Sequence, residues 1–414
     1  QTQMDSYETR ITQYTTVDIF DAENAHTSGA YPKRPLAVVR GQGARVWDSE
    51  GRVYIDCMGG HGVASLGHCH PAVTAAIQAQ AATLVTCFET LYNDQRAGLL
   101  AELTARTPGD LNRVFLCNSG AEAVEGAIKV ARLFTGRAGI VATMRGFHGR
   151  TLGALSATWD EKYRKPFMPL VPGFSHVPYN DLEAMAAAVT EETAGVLVEV
   201  VQGEGGVRPA ADDYLHGLRR LCDERGALLI ADEIQTGLGR TGRWFACEHS
   251  GLVPDVMCVG KTIGGGVPMG AVVWRETLGM LPEGVHGSTF GGNPLACAAG
   301  RAVLRVLADE DLPARAARLG EETRAGLRAI RSPRVREVRG RGLLVGVELR
   351  QRVTPVLKAL MERGVLALPA GPTVLRLLPP LVIEEADLAT VVDAIADALR
   401  EVRQSRPARS LPLG

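Results

Sequence analysis

A chain of 414 residues, 46% hydrophobic and 22% charged, is long enough for one large domain with a smaller companion. Its formal net charge of −1 lacks the basic excess that a nucleic-acid binder usually carries. No apolar stretch reaches the length of a membrane span and the polar start Gln1–Arg10 has no signal-peptide core, so a cytoplasmic protein is expected, with Met4 as its natural start and Gln1–Gln3 as an addition.

In chain order, the run Gly67-His68-Cys69-His70 comes first and invites a metal reading, but no matching ligand pair stands elsewhere at zinc-site spacing, and no metal is expected. The eight cysteines are scattered without a C-x-x-C pair and read as reduced, buried thiols. Helical stretches at Pro71–Leu84, Ala121–Phe134 and Tyr214–Arg225 alternate with apolar runs of strand character. Those runs are Arg113–Cys117, Ile140–Thr143, Val196–Val201, Leu228–Ala231, Val256–Val259 and Ala271–Trp274. Continuous apolar strands separated by helices predict an α/β fold with a mostly parallel central sheet covered on both faces. After about Glu310 the character changes to a long helix near Pro313–Ile330, a strand-like run Gly342–Leu349, a helix near Pro355–Arg363, the strand Val374–Leu378 and a last helix near Glu384–Val402. This part reads as a smaller α+β domain, followed by a frayed tail at Ser405–Gly414.

Chemistry-bearing residues collect where the apolar runs end. Lys261 follows Val256–Val259 and precedes Thr262-Ile263-Gly264-Gly265-Gly266. Desolvation among such apolar, glycine-rich flanks disfavours an ammonium, and a neutral amine is what a Schiff-base nucleophile requires. A surface lysine at a strand end is the plainer alternative. Gly260-Lys261-Thr262 also resembles the end of a phosphate loop, but Asp255 stands where that motif needs glycine. Asp232 ends the run Leu228–Ala231, the place where open α/β sheets bind ligands, although a loop or capping aspartate would look the same. Gly237-Leu238-Gly239-Arg240-Thr241-Gly242 matches a dinucleotide fingerprint in letters only, because Asp232–Thr236 separate it from the strand and no long helix follows.

Asn118-Ser119-Gly120-Ala121-Glu122 opens a helix with small residues, which suits an anion as well as an ordinary cap. In Phe147-His148-Gly149-Arg150-Thr151 an aromatic is available to cover a flat ring and an arginine to grip a carboxylate. Arg376 lies in an apolar strand and needs an anionic partner if buried; Glu204 sits in the loop Gln202–Gly206. Ser288-Thr289 forms a hydroxyl-and-glycine loop with Gly291-Gly292.

In this order the motifs resemble the class III, or ω-amino acid, aminotransferases, from Gly41-Gln42-Gly43 and Gly67-His68-Cys69-His70-Pro71 to Arg376 and Pro379-Pro380. The pairing of Asp232-Glu233-Ile234-Gln235-Thr236-Gly237 with a downstream Gly260-Lys261 is the most specific part. The resemblance implies the type I fold of pyridoxal 5′-phosphate (PLP) enzymes and an obligate homodimer. It implies an N-terminal segment 1–70 contributing to the small domain, a large PLP-binding domain 71–305, a C-terminal small domain 306–404 and a tail 405–414. It also implies a cofactor set of Ser119, Gly120, Ala121, Phe147, His148, Asp232, Glu233, Ile234, Gln235, Lys261 and Thr289. Within that set Gly120 and Ala121 would bind the phosphate, Phe147 would stack on the ring, Asp232 would pair with its nitrogen, Gln235 would contact its phenolic oxygen, Lys261 would carry the Schiff base and Thr289 would come from the neighbouring subunit. Arg150 and Ser288 match substrate-binding positions. Glu204 and Arg376 match a switch pair that is closed for the ω-amino donor and open for glutamate or 2-oxoglutarate.

The expected reaction moves a terminal amino group between an ω-amino acid and 2-oxoglutarate or glutamate, with Lys261 as proton carrier. Local runs such as Met144-Arg145-Gly146-Phe147 and Ala370–Val374 point toward the lysine-forming aminotransferases of the α-aminoadipate route, whose substrate is attached to an amino-group carrier protein. Acetylornithine aminotransferase of arginine biosynthesis is the runner-up, and ornithine aminotransferase fits less well because its Phe-Trp-Gly-Arg pattern is Phe147-His148-Gly149-Arg150 here. A racemase, decarboxylase or mutase would use the same lysine and aspartate. Lys33-Arg34 and Lys162-Tyr163-Arg164-Lys165 are expected to steer an acidic carrier if they rim the entrance, and are otherwise solvated loops.

Overall fold

The computed structural model describes residues 15–401. Met4 and the tail Ser405–Gly414 lie outside them. Seven strands form the central sheet: β1 (Leu111–Cys117), β2 (Gly139–Thr143), β3 (Phe174–Val177), β4 (Thr193–Glu199), β5 (Leu228–Asp232), β6 (Val256–Val259) and β7 (Gly270–Arg275), in the order β1-β7-β6-β5-β4-β2-β3. All pairings are parallel except the two made by β7, which runs against both β6 and β1.

Burial on both faces explains why these strands read as unbroken apolar runs. Successive residues go to opposite sides: Val196, Val198, Leu229 and Met257 join one core cluster, while Leu197, Ile230 and Cys258 join another. The helix Gly120–Thr135 supplies Ala123, Val124, Ala127, Ile128 and Ala131 to the second cluster, the three-and-four spacing of one helical face. Its ends are well defined. Ser119 Oγ accepts from Glu122 N–H at the start, and Gly136 closes the end at φ +68°. On the other face Leu215, Leu218, Leu221 and Cys222 of Asp212–Arg225 fill the first cluster.

Two four-stranded sheets flank this layer, and Val201–Gln202 pairs with Arg208–Pro209 in a two-stranded ribbon. Val38–Gln42, Arg45–Asp48 and Val53–Asp56 form an antiparallel meander whose last strand pairs in parallel with Val365–Leu366 near the other end of the chain. Val335–Arg341, Leu344–Leu349, Val374–Leu377 and Leu368–Pro369 form an antiparallel sheet in which Arg376 stands opposite Gly346.

The fingerprint-like loop Gly237–Gly242 has a structural task. Arg240 is fully buried there without a carboxylate partner among the described residues. Its guanidinium donates to the carbonyls of Leu343 and Pro379 and to Ser65 Oγ, fastening three distant segments. His68 of the histidine-cysteine run bonds Asp56 at 2.8 Å, and no group of three His, Cys, Asp or Glu suited to a metal gathers among the described residues. None of the described helices is long and apolar enough to cross a membrane.

Candidate active site

The carboxyl ends of β1, β2, β4, β5 and β6 converge on one cavity of about 280 Å³. Its wall includes Gly120, Phe147, Glu199, Asp232, Gln235 and Lys261. That volume suits a small ring and its substituents rather than a dinucleotide. Position follows from topology: each strand is fixed by its buried run, and the first residues beyond it face the crevice.

Lys261 begins just after β6 with φ +50°, a left-handed backbone that costs a non-glycine residue about 1 kcal/mol or more. Burial lowers its pKa to about 8; Arg376 adds to that effect, against the pull of Glu204, Asp232 and Glu199. Its amine has no hydrogen-bond or ion-pair partner among the described residues. Facing it, Asp232 Oδ2 bonds His148 Nδ1 at 2.7 Å, and Oδ1 accepts from Ile234 N–H at 3.1 Å. Burial works against a charged His148, but the bond and charge of Asp232 outweigh it and raise its pKa. His148 Nε2 is buried without a partner.

The helix start at Gly120 and Ala121 leaves two backbone N–H groups with no intrahelical acceptor, turned toward the same cavity. Glycine at 120 is required by contact, since a Cβ there would lie 2.8 Å from Ile234 Cγ2. An anion-ready helix start, a lysine without a partner and a buried acid–imidazole pair together fit a phosphorylated, electron-poor ring such as PLP.

Glu204 and Arg376 do meet. Arg376 is completely buried, its Nη2 lies 2.6 Å from Glu204 Oε1 in an ion-pair contact, and its Nη1 donates to Gln235 Oε1 at 3.2 Å. Burial pushes the Glu204 carboxyl up, but Arg376, helped by His61 and the charge of Lys261, overrides it and holds the pKa at about 2. Arg150 lines the cavity, with its guanidinium 3.7 Å from the Tyr163 ring centroid and 5.5 Å from that of Phe147.

Other expected residues stand elsewhere. The Ser119 hydroxyl caps its helix, and Ser288 Oγ accepts from Asn118 Nδ2 and from Gly291 N–H. Thr289 is exposed and does not line the cavity of its own chain. Glu233 points away, bonded to Thr236 Oγ1 and Cys247 N–H, because neighbours after a strand end face opposite sides. Of the basic clusters, Lys162 reaches the rim of an outer cavity, whereas Lys33 pairs with Glu23 and Arg34 donates to the Ala367 carbonyl.

Glu199 was not singled out by sequence. It is buried at the end of β4 and accepts Phe147 N–H at 2.7 Å on one oxygen and Gly203 N–H at 2.8 Å on the other. Burial, helped by Asp232, raises its pKa to about 7 against the opposing effect of His148. The available signal was a single acid inside the valine-rich run Val196–Val201.

Comparison with known proteins agrees with this geometry. The family described as aminotransferase class-III matches residues 27–399. A [LysW]-aminoadipate semialdehyde transaminase of Deinococcus radiodurans is 51% identical over 393 residues, covering 94% of this chain and 92% of that protein. An acetylornithine aminotransferase of Methanopyrus kandleri is 50% identical over 373 residues, 89% of this chain and 96% of its own. Among solved structures, an ornithine aminotransferase from Toxoplasma gondii, whose description records partial occupancy of PLP at the active site, superposes with a TM-score of 0.91 at 36% identity and covers 97% of both chains.

Proposed function

The chain belongs to the class-III aminotransferases, and from that premise we propose that it moves the terminal amino group between a carrier-protein-linked lysine, with its α-aminoadipate semialdehyde counterpart, and 2-oxoglutarate or glutamate. That it is a PLP-dependent transaminase follows from the family and its relatives. Bound in the cavity, the cofactor supplies an electron-accepting ring that holds the amino group between two half-reactions.

The chain's own residues supply the rest. The N–H groups of Gly120 and Ala121 hold the phosphate. Phe147 would cover a bound ring, and Asp232, braced by His148, would keep a proton on its nitrogen. Gln235 gives its carbonyl to Arg376 and keeps its amide for the phenolic oxygen. Lys261 anchors the cofactor at rest. With a pKa lowered to about 8, its amine would be able to accept and return a proton beside the bound group as the proton carrier of the reaction. Glu204 masks Arg376 while the ω-amino donor is bound, then yields it to the second carboxylate of 2-oxoglutarate. Arg150 and Ser288 hold the donor.

A homodimer is part of this reading, with Thr289 completing the partner's phosphate site. Exposed Phe88, Leu91, Tyr92 and Phe290 support it. Arg96 ties their two segments together by bonding the Leu91 and Gly292 carbonyls. Exposed apolar side chains on two segments joined in this way, Phe290 next to Thr289, call for cover. We place the enzyme in the cytoplasm.

The Glu204–Arg376 contact carries the proposal, because two-substrate exchange needs a charge that is alternately masked and exposed. The test compares kcat/KM for carrier-linked lysine, acetylornithine, ornithine and 4-aminobutyrate, with the carrier-linked donor expected first. Acetylornithine first would favour the second reading, which the 50% identical relative supports. Donor alone should convert the bound cofactor to its amino form; a racemase, decarboxylase or mutase would not accumulate it.

A further inference from the structure

In the proposed switch it is Glu204 that moves, yet the loop carrying it is fastened at both ends. Its start is held by Glu199, which accepts the Gly203 N–H at 2.8 Å. Within it, the Gly203 carbonyl accepts the N–H groups of Gly206 and Val207 at 3.3 and 3.2 Å. Its end is held by Arg339. The Nε of that residue donates to the Gly206 and Val207 carbonyls at 2.9 and 3.1 Å, and its Nη2 donates to Gly206 again at 2.7 Å.

Packing leaves this loop little travel. A Cβ on Gly205 would lie 2.6 Å from the Arg145 carbonyl oxygen. Val207 is fully buried with φ +53°, a left-handed backbone that a β-branched residue keeps only where its surroundings impose it. The Glu204 side chain is less confined: it borders two cavities and keeps 32% of its surface in solvent. The moving part is therefore a side chain on a fixed backbone, and its 2.6 Å contact with Arg376 depends on where that backbone is held.

The sheet behind the loop explains how it is held. Arg339, Gly346 and Arg376 stand opposite one another in a single row across three strands, so both arginines project from the same face. Gly346 between them makes room for the loop, since a Cβ there would lie 2.8 Å from Val207 Cβ. Arg339 is buried, and its Nη1 is paired with Glu337 and Glu348. Five N–H donors in a fixed fork let one side chain grip two carboxylates and two carbonyls at once, whereas a lysine has three donors at a single point.

We infer that Arg339 is a positioning residue for the Glu204 mask and thereby sets the balance between the two substrates, resting on the reading of Glu204 and Arg376 as a switch. Two arginines in one row hold the same loop, Arg376 by its carboxylate and Arg339 by its backbone.

The test assays the holoenzyme with acetylornithine as donor and 2-oxoglutarate as acceptor, in the parent protein, R339Q, R339K, E204Q and the double variant E204Q/R339Q. The readout is the ratio of kcat/KM for 2-oxoglutarate to kcat/KM for acetylornithine, from which the amount of folded enzyme cancels. A loosened mask exposes Arg376, so R339Q should raise this ratio by about threefold or more. R339K keeps the charge beside Glu337 and Glu348 but not the fork, and should raise it too; it carries the test alone if R339Q does not fold. In the E204Q background R339Q should change nothing further, because residues that act through one contact are not additive. If E204Q raises the ratio, then no rise in either Arg339 variant, a rise confined to R339Q, or an equal rise with and without Glu204 overturns the role of Arg339 and leaves the switch standing. A ratio unmoved in E204Q overturns the switch, and the role of Arg339 with it.

Discussion

Replacing Glu204 with glutamine removes the only carboxylate that, among the described residues, pairs with the fully buried Arg376 guanidinium, while keeping the side chain's shape. Two routes give the size of the effect. A carboxyl that titrates at about 2 instead of 4.5 is held in its charged form by roughly 3 kcal/mol. Breaking a buried ion pair from one side costs about 3–5 kcal/mol. Because 32% of the Glu204 side chain stays in solvent, the lower figure is expected. The sign follows from the depressed pKa: the contribution is complete above pH 4.5 and is lost as pH falls toward about 2. Urea unfolding of the parent protein and E204Q, at one protein concentration from pH 7 to pH 3.5, should show a gap of about 3 kcal/mol at pH 7 that narrows at the acid end. Kinetically, the unmasked Arg376 should lower the KM for 2-oxoglutarate and raise that for the ω-amino donor. Equal stability at pH 7, or a gap that ignores pH, would refute the electrostatic account; an unchanged KM pair would refute the switch.

Other outcomes follow from the same site. Reductive trapping of PLP by cofactor-free protein should accelerate up to a pH of about 8 and then level off, since Lys261 is largely neutral above that point; an ordinary lysine would keep accelerating toward pH 10, and K261A should lose both the visible band and turnover. E199A leaves the buried Gly203 N–H and the part-buried Phe147 N–H without their acceptors, which should cost about 1–3 kcal/mol or more in denaturant unfolding. The folded protein keeps the Glu199 proton up to a pH of about 7, whereas the unfolded chain releases it near 4.5, so this group lowers stability as pH rises through that window, a slope that E199A should lack. Reversing the charges of Lys162, Arg164 and Lys165 should raise the KM for a carrier-linked donor and leave that for acetylornithine unchanged; equal effects on both would remove these residues from carrier steering.

Where burial is symmetric, the chain announces its own structure. The runs ending at Cys117, Thr143, Ala231 and Val259 were readable as strands because both faces of the central sheet are covered. Phe174–Val177 was not readable: it is an edge strand of four residues with Ser175 exposed. The meander Val38–Gln42 to Val53–Asp56 escaped for a related reason, since Val38, Val39 and Val53 face solvent. The reversed direction of β7 depends on its pairing partners, which no local pattern encodes. Lys261 and Asp232 stood out because each ends an apolar run. Glu199 did not, because its value lies in two loops that come together only in three dimensions. Glu233 shows the converse, a residue inside the most specific motif whose side chain serves the loop behind it.

Arg240 leaves a consequence for how this chain can change. Its guanidinium is fastened to Ser65, Leu343 and Pro379, and two of those partners are backbone carbonyls that no substitution can remove. A neutral residue at 240 would strand acceptors in three regions at once, and no single second mutation reaches all of them. The glycine-rich loop is therefore a mutational dead end.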